Sequence, residues 1–435
     1  MSSQVPSWVV EISERVKKVN VERPSIDTPS KALFRVSQNF PDEYGDKFKP
    51  YKVSIGPYHC NSPSCEKEEK FKEYCILYGL KKTGKPPKDF YNALYEIKDD
   101  LRNSYDKLEP VWDDDSEFLR LMFRDGFYLL VMLESSQLFV GESYMNVGKT
   151  KPLFDPNEME NYRHDLLLLE NQIPLMVLLK LLSVAVGKSD HGYVHTTLII
   201  QILNFCFQTE TYVKGHEYLH ILDVYRHAFL YPSDPREPLS IYSAPPDLNI
   251  PSATQLQEAR IAIKISTTRC VSSISFQDSI LSLPFLNLDN VDRSVYFNVL
   301  LFERFHEQPE MKDFASYVYF MSNILKGAKD VSHLRSCGVI RTSLSDDEVA
   351  EMFYWLCKSV PFNPGDKFNA KLWDVGSRMK DEHDKKSEAW RKDLYQNYLR
   401  SPWAIVSLVA AFLLFVLSVI QTIYAVLSYV HRKDK

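Results

Sequence analysis

Apolar residues recur along this chain mostly at helical spacing. After Ser116, which can serve as an N-cap, Leu119, Met122, Phe123, Phe127, Leu130 and Leu133 fall on one helical face, with added apolar residues making the second half apolar all round. That pattern predicts a central core helix. A second apolar run, Leu166 to Leu169, meets Glu170, Asn171, Gln172 and Ile173 before Pro174 interrupts it, and apolar residues resume from Leu175 to Leu182, so two helices are expected to meet at a polar joint. The favoured role for Glu170, Asn171 and Gln172 is to satisfy backbone groups freed at the Pro174 break. Alternation at Ile261, Ile263 and Ile265, then at Ile274 and Phe276 and on through Ile280 to Leu288, predicts a small antiparallel sheet. Helices are expected again over 295–305, 314–326 and 345–358, the last opened by Ser345 and Glu348 at capping-box spacing.

The C-terminus carries the strongest single pattern. No charged residue occurs from Trp403 to Val430, a length sufficient to cross a hydrocarbon layer of about 30 Å at about 1.5 Å per residue. Trp403, Tyr424 and Tyr429 suit interfacial belts, and Pro402 sits where a helix tolerates proline. Gln421 and Thr422 are polar within the span, where local backbone bonding or interfacial placement accommodates them. Lys385, Lys386, Arg391, Lys392 and Arg400 precede the span, against Arg432, Lys433 and Lys435 after it. The charge bias therefore places the body in the cytosol, as in a tail-anchored protein of the endoplasmic reticulum or plasma membrane.

These elements define a mainly α fold: a large helical globular body with a small antiparallel β element, followed by one C-terminal transmembrane helix. The expected organisation is an N-terminal arm over 1–31, a body over 32–365 with a possible subdomain crossing in the Pro-rich stretch 231–251, a charged helical stalk over 366–401, a transmembrane helix over 402–430 and a short basic tail over 431–435.

Composition narrows the function classes. Only 14 Gly in 435 residues argues against phosphate-cradling loops, and a net charge of −5 offers no basic field for nucleic acid. Seven cysteines, odd in number and scattered, read as reduced thiols. The first ten residues lack a secretory signal, and no Asn opens a glycosylation sequon, in keeping with a cytosolic body.

Candidate chemistry is sparse. His216-Glu217-Tyr218-Leu219-His220 fits H-E-x-x-H, which on a helix would present two imidazoles to zinc and leave Glu217 as base. The extended form wants glycine at 223 and histidine at 226, where Asp223 and Arg226 stand, so a surface helix is preferred to a zinc hydrolase. Gly148-Lys149-Thr150 lacks the first glycine of a phosphate loop, position 143 being Ser143, and Pro152 follows. His59, Cys60, Cys65 and Cys75 are residue types that hold metals, but their spacing lacks a Cys-x-x-Cys knuckle, so the three cysteines read as unpaired thiols. The acidic run Asp113 to Asp115 suits a helix N-terminus. No catalytic residue, metal or cofactor is expected.

Five blocks then stand out as a set: Val53-Ser54-Ile55-Gly56-Pro57-Tyr58-His59; Leu167-Leu168-Leu169-Glu170-Asn171-Gln172-Ile173-Pro174; Ile250-Pro251-Ser252-Ala253-Thr254 with Leu256 and Glu258; Asp330-Val331 with Leu334 and Gly338-Val339-Ile340; and Ser401-Pro402-Trp403-Ala404-Ile405. In order and separation they resemble the plant family called domain of unknown function 247 nearly end to end. Where the family usually has His-His-Gly, this chain has His59-Cys60-Asn61, and the following Met-Glu is absent. His220-Ile221-Leu222-Asp223 matches a family helix usually written His-Leu-Leu-Asp, whereas His216 and Glu217 match nothing in it. The resemblance implies one C-terminal transmembrane segment, no established enzymatic activity and, in grasses, relatives implicated in self-incompatibility. The resulting expectation is a non-enzyme that binds an unknown protein partner while held to a membrane by its last helix, with neither nucleic acid nor a small-molecule substrate.

Overall fold

The computed structural model describes residues 31–35, 48–60, 62–137, 153–187, 191–207, 217–231, 241–243, 249–266, 268, 270–288, 293–306, 312–359, 367–394 and 402–433. The N-terminal arm, Gly148-Lys149-Thr150, His216 and most of the Pro-rich stretch lie outside these residues. Two compact units emerge, one comprising Met1–Tyr225 with Leu301–Gln308, the other Arg226–Leu300 with Pro309–Lys435. The chain thus divides at Tyr225 and returns to the first unit later, whereas the sequence pointed to a crossing at 231–251.

The first unit is helical throughout its described elements: α1 (Glu66–Thr83), α2 (Pro87–Tyr95), α3 (Lys98–Asn103), α4 (Asp115–Gln137), α5 (Met159–Leu166), α6 (Leu175–Val186), α7 (His191–Phe207) and the start of α8 (Ile221–Leu230). The expected core helix is α4, packed against α1, α6 and α7. Its Phe118, Leu119, Met122, Tyr128, Leu129, Met132 and Leu133 are buried. Its cap differs from expectation: Asp114 Oδ1 accepts the Glu117 N–H at 2.9 Å, so Ser116 lies inside the first turn. A carboxylate there also complements the positive end of the helix dipole. The apolar run at Leu166 stops being helical there, and α6 begins directly after Pro174.

In the second unit, β1 (Ile241–Ser243) is followed by α9 (Ala253–Glu258), β2 (Ala262–Ile265), β3 (Ser275–Gln277), β4 (Ile280–Leu283) and β5 (Leu286–Asn287). Then come α10 (Arg293–Phe305), whose residues from Leu301 on belong to the first unit, α11 (Asp313–Ile324), α12 (Ala328–Ser336), β6 (Ile340–Arg341), α13 (Asp346–Ser359), β7 (Lys367–Asn369), α14 (Ala370–Leu394) and α15 (Pro402–Lys433). The hairpin β3–β4 is antiparallel as expected, its two-residue turn at Asp278 and Ser279 having φ of 51° and 59°. β2, however, joins β4 in parallel, Pro284 separates β4 from β5, and β5 pairs in parallel with β6. Inside the Pro-rich stretch, β1 pairs antiparallel with β7, so that crossing carries a strand. The capping box at Ser345 and Glu348 forms: Ser345 N–H donates to Glu348 Oε2 at 2.7 Å and Glu348 N–H to Ser345 Oγ at 3.2 Å.

The third and fourth sequence blocks meet in this unit. Ser252 and Gln255 form a capping box on α9, and Asp330 Oδ1 accepts Thr254 N–H at 2.8 Å and Thr254 Oγ1–H at 2.7 Å. Of the charged stretch expected as a stalk, Ala370–Leu394 is helical, yet Leu372, Val375 and Met379 are buried, so the first turns of α14 belong to the core. Beyond it, Val409–Val426 of α15 has a mean hydropathy of 2.3 and none of it is buried, making α15 long and apolar enough to cross a membrane. Thr422 is accommodated as expected, its hydroxyl donating to the Ser418 carbonyl at 2.8 Å.

Candidate functional site

The segment Tyr51–His59 has no assigned strand within it, which poses the question of where its backbone hydrogen bonds go. Buried side chains supply them. Asp165 Oδ1 accepts Tyr51 N–H at 2.8 Å, and Oδ2 accepts Lys52 N–H at 2.6 Å and Val53 N–H at 2.8 Å. Asn171 acts as a substitute strand: Oδ1 accepts Ile55 N–H at 2.6 Å, while Nδ2 donates to the Val53 carbonyl at 3.0 Å and the Asp165 carbonyl at 2.9 Å. Gly56 N–H donates to Asp125 Oδ2 at 2.8 Å. Gly56 has φ of +76°, and a Cβ there would overlap the Gln172 carbonyl oxygen, so both the dihedral and the space require glycine.

Beneath the segment lies a buried charge cluster. Lys72, fully buried on α1, donates to Asp125 Oδ1 at 2.8 Å, to Glu69 Oε1 at 2.7 Å and to the Ser54 carbonyl. Arg124 lies 3.0 Å from Glu69 Oε2 and 3.3 Å from Asp125 Oδ1. Two cations and two carboxylates thus neutralise one another, Lys72 and Asp125 out of water and Glu69 and Arg124 at the partly exposed edge of the cluster. Such an arrangement is worth little relative to an apolar core, but removing one partner strands a charge at a cost of about 3–5 kcal/mol. Alongside, His59 Nε2 is 3.4 Å from Glu170 Oε2, and Glu68 accepts hydroxyl bonds from Tyr162 at 2.8 Å and Tyr128 at 3.0 Å.

Gln172 completes the joint. Its Nε2 donates to the carbonyls of Leu166 at 2.6 Å and Leu168 at 2.9 Å, at the end of α5, while its Oε1 accepts Leu222 N–H at 3.3 Å at the start of α8. One amide therefore serves the last carbonyl of α5, the Leu168 carbonyl just beyond it and an orphan N–H in the first turn of α8. Asn171 and Gln172 satisfy backbone groups as the sequence suggested, and they reach well past the Pro174 break to the Val53 segment and α8.

An open cleft of about 370 Å³ lies beside this hub. Tyr58 and Cys60 form one part of its wall, Val111, Trp112 and Arg120 another, and Arg124 connects the cleft to the buried charges. Tyr58 donates to the Leu33 carbonyl at 3.2 Å, and burial holds its phenol well above the usual range. Burial likewise pushes the Cys60 thiol up, against the opposing pull of the Arg124 guanidinium 3.9 Å away. A thiol so held stays protonated at neutral pH and makes a poor nucleophile.

The zinc-like motif is not laid out as its spacing would require. His216 lies outside the described residues, Glu217 is exposed, and α8 begins at Ile221, so residues 217–220 form no helical turn. His220 is buried with both ring nitrogens engaged: Nε2 donates to the Ala32 carbonyl at 3.2 Å and Nδ1 accepts Asp223 N–H at 3.2 Å. Burial lowers its pKa to about 3. Among the described residues no three His, Cys, Asp or Glu are grouped to hold a metal ion. Cys65 and Cys75 are buried thiols pushed up by burial, and all seven cysteines are free. In the acidic run, Asp115 pairs with Arg102 at 2.9 Å and with Lys98.

Lys72, Asp125 and Asp165 belong to no recognisable motif in the sequence. Asp125 had a usable signal, since it is a charge in a helix that the pattern buries all round. Lys72 had none, as it sits in the charged run Glu66–Glu73.

The Val53–His59 and Leu167–Pro174 blocks thus form one structural joint, and the profile of a family described as plant protein of unknown function, DUF247, matches residues 33–417. The chain belongs to this DUF247 family. Curated relatives include UPF0481 protein At3g47200 of Arabidopsis thaliana, 24% identical over 92% of this chain and 87% of the relative. Another, putative UPF0481 protein At3g02645 of the same plant, is 23% identical over 97% of this chain and 95% of the relative. No solved structure matches significantly. The Val53–His59 and Leu167–Pro174 blocks therefore sit where backbone polar groups are satisfied internally, with the cleft as the solvent-facing side of the joint.

Proposed function

We propose that this DUF247 protein is a non-enzymatic, membrane-anchored binding protein whose cleft at Tyr58, Val111 and Arg120 takes a protein partner. The observation that carries this reading is how the hub's side chains are used. Asp165, Asn171, Gln172, Lys72 and Asp125 all spend their hydrogen bonds on the chain itself, leaving at the cleft an exposed apolar residue, Val111, beside aromatic and arginine groups. Aromatic and arginine groups around an apolar centre are the composition of interface hot spots. Cell recognition or self-incompatibility signalling is the finer role that the family resemblance supports. α15 serves as the anchor, and five cations before the apolar span against three after it favour a cytosolic body.

Two measurements test this. A photocrosslinking residue at Val111, 59% exposed, is expected to give one discrete protein adduct in plant microsomes, while the same residue at Lys70, on the exposed face of α1, gives none. Equal labelling at both positions would count against the cleft. Protease treatment of sealed microsomes is expected to digest the body and spare the C-terminal tail; the reverse pattern would overturn the topology.

A further inference from the structure

We propose that the groove between the end of α9 and the last turns of α14 binds the phosphate-bearing headgroup of an anionic phospholipid. The inference rests on the reading of α15 as a membrane anchor. The groove encloses about 930 Å³. Its cations come from both walls, Arg260 from one and Lys386 and Arg391 from the other, and Glu258 and Asp393 are the lining's anions. Arg260 is set in place by the end of α9, where the chain turns through a left-handed φ of 55°. Lys386 is braced by Ser279 Oγ at 2.9 Å, the Arg260 carbonyl at 3.4 Å and Glu382 at 3.0 Å. Trp390 stands 66% exposed on the same wall, an amphipathic ring of the type that settles at headgroup depth.

Charge along the sequence points the same way. Arg378–Asp384 carries Arg378 and Lys380 against Asp381, Glu382 and Asp384, whereas Lys385–Ser401 carries Lys385, Lys386, Arg391, Lys392 and Arg400 against only Glu388 and Asp393. The positive excess is thus confined to the segment adjoining the apolar helix. Eight peptide steps from Leu394 to Pro402 span at most about 28 Å, so the groove's rim is tethered near the start of the span. A headgroup confined to the bilayer surface meets such a rim at high local concentration. Each Lys or Arg near an anionic surface contributes about fivefold in affinity, with a range of about 8 Å at physiological salt.

The test uses the full chain in phosphatidylcholine nanodiscs containing a minor fraction of a phosphatidylinositol phosphate. Lipid retained on the protein after mild detergent extraction is measured by mass analysis. Enrichment of the anionic lipid over its fraction in the disc is expected, falling about fivefold in Arg391→Ala and recovering in Arg391→Lys. Arg391 is exposed, so its replacement leaves the fold intact. Incorporation without enrichment, or enrichment indifferent to Arg391→Ala, overturns the headgroup site while leaving the anchor standing. Displacement of the lipid by millimolar inorganic phosphate, with the same dependence on Arg391, would identify a soluble phosphate site instead and also overturn it. A chain that fails to incorporate at all overturns the anchor and this inference together.

Discussion

The carbonyl oxygen of Gln172 occupies the place where a side chain on Gly56 would begin. The two residues belong to sequence blocks more than a hundred positions apart, and their contact locks the Val53–His59 segment onto the joint between α5 and α6. Replacing Gly56 by alanine must therefore move backbone, in addition to imposing a positive φ on a residue with a Cβ. Gly84 has a similar φ of 65°, but nothing lies within 4 Å of a Cβ placed there. Gly84→Ala is expected to cost about 1 kcal/mol, the dihedral penalty alone, and Gly56→Ala at least twice that. Denaturant unfolding of the two variants checks the comparison, and equal losses would show that the close approach carries no weight.

Asn171 offers a second test, because it serves the loop as donor and acceptor at once. Asn171→Asp keeps the shape and the acceptor for Ile55 N–H but removes both N–H donors. It would set a buried carboxylate against the carbonyls of Val53 and Asp165. A loss of about 3 kcal/mol or more is expected, larger than for Asn171→Ala, which leaves both carbonyls and the Ile55 N–H unpaired but adds no buried charge and no repulsion. Protease sensitivity at Tyr51–His59 should rise in parallel; a stable, protease-resistant Asp variant would contradict the substitute-strand role.

How much of this was readable beforehand depends on the range of the contact. The core helix α4 and the apolar α15 follow from spacing along a single element, and so does the Ser345–Glu348 capping box. Asn171 and Gln172 were legible as polar residues near a helix break, because their duty to nearby carbonyls is local. Their longer reach was not: nothing in the sequence says that Asn171 lies beside Val53, or that Gln172 also serves Leu222. The same limit explains the sheet. Alternation at Ile261–Ile265 announces a strand but carries no information on direction, and β2 runs parallel to β4 because the intervening 3₁₀ turn at Val271–Ser273 and β3 bring the chain back across it. Lys72 was invisible for a related reason, since a lysine among six other charges between Glu66 and Glu73 shows its burial only when α4 is set against α1.

His220 gives the chain a pH dependence whose sign can be worked out. In the folded state its pKa is lowered to about 3 by burial, with its hydrogen bond to the Ala32 carbonyl pulling the other way, while in the unfolded chain it returns to about 6.5. Between those values the unfolded state binds the extra proton. Stability from the neutral imidazole is thus fully present above about pH 6.5 and is lost as pH falls towards 3, at up to about 1.4 kcal/mol per unit. Carboxylates whose pKa is lowered, such as the exposed Asp115 held by Lys98 and Arg102, act in the same direction, so the wild-type slope alone does not identify the histidine. His220→Gln does: it retains an amide N–H able to reach the Ala32 carbonyl but does not titrate. Unfolding midpoints of the two detergent-solubilised proteins are expected to converge as pH falls from 6.5 to 4. Parallel curves across that window would mean that His220 is protonated as easily in the folded chain as in the unfolded one, and that its buried, neutral placement against Ala32 and Asp223 is not the state the protein holds.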